Sequence, residues 1–374
     1  MSTLVQHVEV FRIPCRGPAD LSGVQALVDQ GQLDPQQIVA VMGKTEGNGC
    51  VNDFTRDFAT TSWSHFLAPY LSCTPAQAAH RVALVMSGGT EGVLSPHFTV
   101  FTRTWRNASA AQIEKRLVVG VAHTADFRPE DIGRAAQIDA TAEAVQMAMA
   151  DAGITDAADV HLVQVKCPLL TSAKIQDALM RGMPPVTRDT YESMGYSRGA
   201  SALGVAIALG EVSRTAVSDA TVLVDWSLYS ACASVSAGIE LEGNVVLVLG
   251  EACGSISPYR IAHTVMCDAI DAASVRQMLQ HHFGLTPERD AEAITARLVN
   301  LLAKAEASPD GMVRGARHTM LNDSDINATR HARAVVGGVL ASVTGYTALY
   351  VSGGAEHQGP PGGGPVAAIM RVAS

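Results

Sequence analysis

Short apolar runs rich in β-branched residues recur along the chain and predict β-strands. Three of these runs each precede a longer segment with a helical pattern, and they lie at 8–13, 116–124 and 260–266. The helical segments lie at 21–31, 140–153 and 273–284, and each closes on a glycine. A closing glycine is typical of a helix C-terminus, so the pattern predicts a strand followed by a helix three times over.

The same ordered set of residues follows each strand and helix. An apolar strand ends in lysine, a Ser/Thr-Arg pair opens a helix-like stretch, and another apolar strand leads into Ser-Gly/Ala-Gly-x-Glu. The residues are Lys44, Arg56 and Ser87, then Lys166, Arg198 and Ser236, then Lys304, Arg330 and Ser352. A further strand closes each set, at 98–104, 244–250 and 366–372. The Lys-to-Ser spacings of 43, 70 and 48 residues differ while the order holds, which indicates one α/β unit in three copies with a shared site.

The length of the chain agrees with three copies. Its 374 residues suit three fused units of ~120 residues each. Polar stretches containing Gly, Ser or Asn separate the copies. We therefore predict unit A at 1–105, unit B at 111–250 and unit C at 256–374.

Composition narrows the class of protein. With 47% hydrophobic and 17% charged residues the chain can bury a large core, and no apolar stretch reaches the ~20 residues of a membrane span. A net charge of -9 without a basic cluster argues against nucleic acid as a partner. No signal peptide is visible, and the seven cysteines form no C-x-x-C pair. We expect a cytoplasmic protein with neither a disulfide framework nor a zinc site.

The recurring residue types suit acyl transfer. A lysine amine that burial or neighbouring cations keep neutral can take the proton of a serine hydroxyl. Small residues after the serine let backbone N–H groups approach an oxyanion, and an arginine at a helix start offers a planar fork of donors. A single Ser-Gly-Gly is most often a turn and a single strand-ending lysine is most often solvated. The prediction of an acyl-transfer site therefore depends on the recurrence of these residues in a fixed order.

One difference between the copies suggests which pair reacts. A carboxylate follows Lys44 and Lys304 at i+2, as Glu46 and Glu306, whereas Cys167-Pro168 follows Lys166. If the strand continues, i and i+2 share a face, and the acid would favour the charged amine. We therefore expect Lys166 to be the lysine most easily held neutral, unless the two glutamates point elsewhere.

Long blocks of the sequence resemble the cyanuric acid hydrolase and barbiturase family of ring-opening amidohydrolases. They include GKTEGNGCVNDFTR, MSGGTEGVLSPH, VQVKCPLL, TYESMGYSRGASALG, RHTMLNDSDINATRHARAV and YVSGGAEHQGPPGGGP, and the resemblance covers nearly the whole chain. It implies three pseudosymmetric α/β repeats around a threefold axis, with a barrel-like core of strands and outer helices. It also implies hydrolysis of one C–N bond of a cyclic imide; from cyanuric acid this gives carboxybiuret, which decarboxylates to biuret.

The resemblance also implies roles for individual residues. Ser236 would be the nucleophile and Lys166 the base. Substrate would contact Arg56, Ser87, Gly88, Arg198, Ser236, Ala237, Arg330, Ser352 and Gly353, and Lys44 and Lys304 are further candidates. The family would hold a structural Mg²⁺ or Ca²⁺ with Glu306, Ala355, Gln358, Gly359, Pro360 and Gly363, without a catalytic metal. It also implies a homotetramer.

Two alternatives to hydrolysis of cyanuric acid remain at this point. Barbituric acid is the nearest alternative substrate, because it differs by a CH2 in place of one N–H. A non-catalytic protein that binds a ring-shaped imide would keep the same threefold pocket. Zinc amidohydrolase chemistry is disfavoured, since no histidine recurs in all three units and no H-E-x-x-H is present.

Overall fold

Three successive groups of strands and helices make up the chain, of which the computed structural model describes residues 3–108 and 114–373. The first group comprises β1 (Thr3–Pro14), α1 (Ser22–Asp29), β2 (Ile38–Thr45), α2 (Phe54–Tyr70), α3 (Pro75–Arg81), β3 (Ala83–Gly88) and β4 (His97–Ala108). The second comprises β5 (Arg116–His123), α4 (Ala135–Ala152), β6 (Val160–Cys167), α5 (Ser172–Met180), α6 (Thr190–Ala208), β7 (Ala233–Ala237) and β8 (Val245–Ala252). The third comprises β9 (Tyr259–Met266), α7 (Ala272–Phe283), α8 (Pro287–Arg297), β10 (Leu298–Ala305), β11 (Met312–Val313), β12 (Ala316–Arg317), α9 (Ala328–Thr344), β13 (Tyr350–Gly353) and β14 (Gly364–Arg371).

Each group forms its own four-stranded sheet, and the three sheets have the same strand order. The orders are β1-β4-β2-β3, β5-β8-β6-β7 and β9-β14-β10-β13, so the last strand of each group lies second. In every sheet the second and third strands of the group pair in parallel, and the last strand runs antiparallel to its neighbours. The mixed α/β class is therefore confirmed. The barrel-like core is wrong, because the described strands form separate open sheets.

The three sheets share one core on their inner faces. Val8, Met42, Leu162, Leu302 and Ile369, from all three groups, belong to a single cluster of buried apolar residues. Helices cover the outer face of each sheet and form a separate apolar cluster with it. Each sheet is therefore buried on both sides, which explains why its strands read as nearly continuous apolar runs.

Most of the predicted elements are confirmed, including the twelve strands of the three sheets and the first helix of each unit. The glycines after α4 and α7, Gly153 and Gly284, adopt left-handed conformations, as expected of helix ends. Three short helices, α3, α5 and α8, and the small β11–β12 pair were not predicted. One expectation about the arginine helices is wrong: α6 begins at Thr190, so Arg198 lies two turns inside the helix rather than at its start.

The expected unit boundaries stay a prediction. Strand β4 continues to Ala108, beyond the expected end of unit A at 105, and residues 109–113, which include the expected start of unit B at 111, lie outside the described residues. Strand β8 continues to Ala252, beyond the expected end of unit B at 250, and β9 begins at Tyr259, after the expected start of unit C at 256. Among the described helices, none combines the length and the apolar character that crossing a membrane requires.

Candidate active site

Each recurring lysine lies directly beside the serine of its own unit. Lys44 and Ser87 are register partners on the parallel strands β2 and β3. The same is true of Lys166 and Ser236 on β6 and β7, and of Lys304 and Ser352 on β10 and β13. The carboxyl ends of parallel strands meet at one edge of a sheet, so variable loops between the strands leave this pairing unchanged.

Strand alternation sends all six side chains to the shared core. Residues i and i+2 of a strand lie on the same face of a sheet. On β2, Ala40 and Met42 of the inner core precede Lys44 in this alternation, and on β13 Tyr350 precedes Ser352. The three serines consequently meet: Ser352 Oγ lies 2.9 Å from Ser236 Oγ and 3.4 Å from Ser87 Oγ.

The three lysines are fully buried but have different partners. Lys44 Nζ lies 3.2 Å from Ser87 Oγ, and Lys304 Nζ lies 3.2 Å from Ser352 Oγ. Lys166 Nζ instead lies 3.3 Å from Glu240 Oε1 and donates to the Ala237 carbonyl at 3.4 Å. Burial lowers the pKa of all three amines, and it lowers that of Lys304 to about 7.

The expectation that Lys166 lacks a carboxylate neighbour is wrong. Its partner Glu240 comes from the end of the serine motif rather than from position i+2. Strand β2 ends at Thr45, and Glu46 is exposed while Lys44 is buried, so these two side chains do not share a face. Only the third unit agrees with the expectation, because Glu306 raises the pKa of Lys304 against the effect of burial.

A cavity opens where the three serines meet, and all three units line it. Of the predicted residues it contacts Arg56, Ser87, Gly88, Lys166, Arg198, Ser236, Ala237, Ser352 and Gly353. Lys166 is the recurring lysine that lines this cavity, whereas Lys44 and Lys304 are absent from its described lining. Three lining residues were not predicted: Gly49, Met194 and Arg333.

The third arginine of the cavity is Arg333 rather than Arg330. The Arg330 side chain is 43% exposed, and its Nε lies 3.6 Å from Glu91 Oε1. Arg333, one helical turn later, is 3% exposed and shares the buried face of α9 with Val336 and Leu340. The apolar spacing of α9 could have identified Arg333, because residues at i+3 and i+7 lie on one face of a helix.

Two of the three glutamates that end the serine motifs contact arginines of other units. Arg333 of unit C donates to both Glu91 oxygens, from Nε at 2.6 Å and Nη2 at 2.5 Å. Arg198 of unit B donates to both Glu356 oxygens, from Nε at 2.8 Å and Nη2 at 2.5 Å. The sequence identified these glutamates as the last residues of the motif. It did not predict that their partners would be arginines of another unit.

A structural cation was expected at Glu306 and the loop that follows Ser352. Within residues 3–108 and 114–373, no three His, Cys, Asp or Glu side chains are grouped so that they could hold a metal ion. The expected set has one carboxylate, Glu306, which accepts a hydrogen bond from the Ala355 backbone at 2.5 Å. Burial and the neighbouring Glu356 carboxylate raise the pKa of Glu306 to about 7. A buried carboxylate with a second carboxylate beside it fits a hard cation, which prefers oxygen ligands.

The sequence and the fold match known proteins over nearly their full length. A cyanuric acid amidohydrolase of Pseudomonas sp. (strain ADP) is 59% identical over 366 residues, which are 98% of this chain and 99% of that protein. Another, of Bradyrhizobium diazoefficiens, is 58% identical over 367 residues, 98% of each chain.

Solved structures agree with these relatives. A cyanuric acid hydrolase structure superposes with a TM-score of 0.94 at 58% identity, covering 98% of this chain and 100% of the other. The crystal structure of the hydrolase from A. caulinodans gives a TM-score of 0.89 at 50% identity, covering 99% of this chain and 100% of the other. The model of the amidohydrolase ring-opening protein family matches residues 9–371. With this match, and with a serine of each unit at one cavity, this chain belongs to the family of ring-opening amidohydrolases.

Proposed function

We propose that this protein hydrolyses cyanuric acid to carboxybiuret, which then loses carbon dioxide to give biuret. Membership of the ring-opening family and relatives named for this activity support the proposal. The single observation that carries the catalytic assignment is the position of Lys166. It is the recurring lysine that lines the cavity, and its register partner Ser236 lines the cavity beside it.

The symmetry of the substrate suits the repeated site. Cyanuric acid has three equivalent carbonyl and three equivalent N–H groups, and we propose that three repeats around an approximate threefold axis surround it. The equal strand orders of the three sheets support such an axis. Leaving a buried donor or acceptor without a partner costs ~1–3 kcal/mol, so a site with three matching sets favours a ring with three matching edges.

The proposed reaction uses one Lys–Ser pair. Ser236 Oγ attacks a ring carbonyl carbon while the neutral Lys166 amine takes the hydroxyl proton. The ring C–N bond breaks, and the Lys166 ammonium returns the proton to the leaving nitrogen. Water then attacks the carbonyl carbon bound to Ser236, with Lys166 again accepting the proton. The bond between that carbon and Ser236 Oγ breaks, the Lys166 ammonium returns the proton to Oγ, and the ring-opened product leaves.

The serines of the other two pairs would bind the ring rather than react, and their lysines would hold those serines. The Lys304 amine is held by Ser352 Oγ and donates to two backbone carbonyls, of Val235 at 2.7 Å and Gly353 at 3.0 Å. Its register partner Ser352 contacts both of the other serines, which fixes the serine hydroxyls relative to each other. Arg56, Arg198 and Arg333 line the same cavity and can donate to the carbonyl oxygens of the ring.

Parallel substrate assays test the function. Purified protein would be incubated with cyanuric acid and with barbituric acid, following loss of each ring and appearance of biuret, with Lys166→Ala as the catalytic control. We expect turnover of cyanuric acid, reduced more than tenfold in the variant. Turnover of barbituric acid alone would change the substrate, and tight binding of either ring without turnover would identify a binding protein.

The cation and the oligomer are separate parts of the proposal. Glu306, with groups at Ala355, Gln358, Gly359, Pro360 and Gly363, would hold Mg²⁺ or Ca²⁺, which supplies positive charge that orders the loop after Ser352. The raised pKa of Glu306 supports this assignment. A homotetramer and a cytoplasmic location, which the resemblance and the composition suggest, stay predictions.

A further inference from the structure

Two of the three motif glutamates are fully engaged with arginine. Arg333 and Arg198 each use Nε and Nη2, the same edge of the guanidinium, to contact both oxygens of Glu91 and Glu356. In each case the glutamate belongs to one unit and the arginine to another. Following the same order around the three units, the arginine partner of Glu240 in unit B would be Arg56 in unit A.

Arg56 and Glu240 do not form the hydrogen-bonded pair that this order predicts. Arg56 donates from Nη2 to the Cys50 carbonyl at 2.8 Å and from Nη1 to the Ala237 carbonyl at 3.3 Å. Among the residues that the structure describes, its buried Nε has no hydrogen-bond partner, and neither oxygen of Glu240 has one. The charged contact that the structure gives to Glu240 is the 3.3 Å approach of Lys166 Nζ.

The glycines of the serine motifs show the same difference. A Cβ atom on Gly89 would lie 2.2 Å from Arg333 Nη2, and one on Gly354 would lie 2.6 Å from Arg198 Nε. These two glycines therefore leave space for an arginine of another unit. At Gly238 a Cβ atom would lie 2.4 Å from Glu240 Oε1 instead. In unit B the carboxylate folds back over its own motif, towards Lys166.

We propose that Glu240 is a positioning residue: freed from Arg56, it holds the Lys166 amine beside Ser236 and keeps it basic enough to act. This inference rests on the proposed function and explains why unit B would be the reactive one of three similar units. Glu240 would not contact the ring and would act only through Lys166.

The charges around Lys166 give the physical reason. Burial lowers the pKa of the Lys166 amine most, Glu240 raises it, and Arg56 lowers it again, with the Cys167 thiol as the other titratable neighbour. Burial lowers the pKa of Lys44 well below its usual value, the Arg333 cation lowers it further, and Glu91 raises it. A base works best when its pKa is near the working pH, because a more easily deprotonated amine attracts the serine proton less. Glu240 would keep Lys166 in that range.

The first test compares pH profiles of kcat and kcat/KM for cyanuric acid in the parent, E240Q, E240D and E91Q. We expect E240Q to lose at least about tenfold in kcat, with KM within about threefold and the acidic limb about one pH unit lower. E240D retains the charge and should restore the position of that limb. E91Q is the matched control: loosening Arg333 should raise KM without moving the limb. The substrate titrates identically in all assays, so differences between profiles belong to the enzyme.

A second measurement does not depend on turnover. NMR titration of isotope-labelled lysine, with the Lys166 signal assigned by its loss in K166R, should show the amine deprotonating at lower pH in E240Q than in the parent. An unchanged titration, or an unmoved acidic limb in E240Q, would overturn the role of Glu240. A shifted titration in a protein that opens neither ring would support the Glu240 contact and overturn the proposed function instead.

Discussion

Replacing Arg333 by lysine tests whether the structure has identified the correct third arginine. Arg333 donates two hydrogen bonds to Glu91, at 2.6 and 2.5 Å, and lines the cavity. A lysine ammonium keeps the charge but cannot match both carboxylate oxygens at once. One charge-assisted hydrogen bond to a buried carboxylate is worth ~1.5–3 kcal/mol. Losing one of the two bonds should therefore cost ~2 kcal/mol, or ~30-fold in kcat/KM at 1.36 kcal/mol per factor of ten.

Arg330→Lys is the matched control for this change. It lies one turn earlier on the same helix, is 43% exposed, and approaches Glu91 only to 3.6 Å. An exposed ion pair contributes ~0–1 kcal/mol, so R330K should keep kcat/KM for cyanuric acid within about fivefold of the parent. Steady-state kinetics and thermal unfolding of both variants would separate a local effect from a loss of fold. A loss in R330K equal to or larger than that in R333K would refute the assignment.

Three further changes have defined outcomes. Neutral His97 lies fully buried against Asn300, and burial lowers its pKa from 6.5 to about 4. Between these two pH values, only the unfolded state therefore binds a proton at this histidine. The free energy of unfolding should fall by about 3 kcal/mol as the pH drops from 6.5 to about 4. H97Q should lack most of this pH dependence in denaturant titrations; an unchanged slope would contradict it. Gly354→Ala should lower kcat/KM at least ~tenfold, because its Cβ would lie 2.6 Å from Arg198 Nε at a left-handed backbone position. Kinetics like those of the parent would show that the close packing of Arg198 on Gly354 is not required. Removing a cation from Glu306 with a chelator should lower the melting temperature, consistent with ~3 kcal/mol of ligand stabilisation at 100 times Kd, and unchanged melting after verified metal removal would argue against a structural role.

The sequence was sufficient for the elements and for the Lys–Ser pairs because their signals are local and repeated. An apolar run ending in Lys44 and another leading to Ser87 required only that the two strands be parallel neighbours. Arg330 was chosen over Arg333 because it follows a threonine, as Arg56 does, whereas burial in α9 depends on which helix face meets the sheet. The apolar positions of α9 contained that information.

Contacts between units could not be predicted in the same way. The pairing of Glu356 with Arg198, and of Glu91 with Arg333, depends on how three sheets pack on one core. Nothing in the local sequence around Glu240 distinguishes it from Glu91, since both end the same motif. The i+2 argument for Lys166 failed for a different reason: its carboxylate partner, Glu240 of the same unit, follows the neighbouring strand β7 rather than β6.

The most direct test of the account compares S87A, S236A and S352A in one assay of cyanuric acid ring opening. Each substitution removes one hydroxyl from the cluster around Ser352 Oγ. Removal of a nucleophile should abolish kcat, whereas loss of a binding hydroxyl should mainly raise KM. The account predicts that S236A alone has no measurable kcat, while S87A and S352A still turn over with higher KM. Turnover by S236A, together with inactivity of S352A or S87A, would contradict the assignment of Ser236 and Lys166.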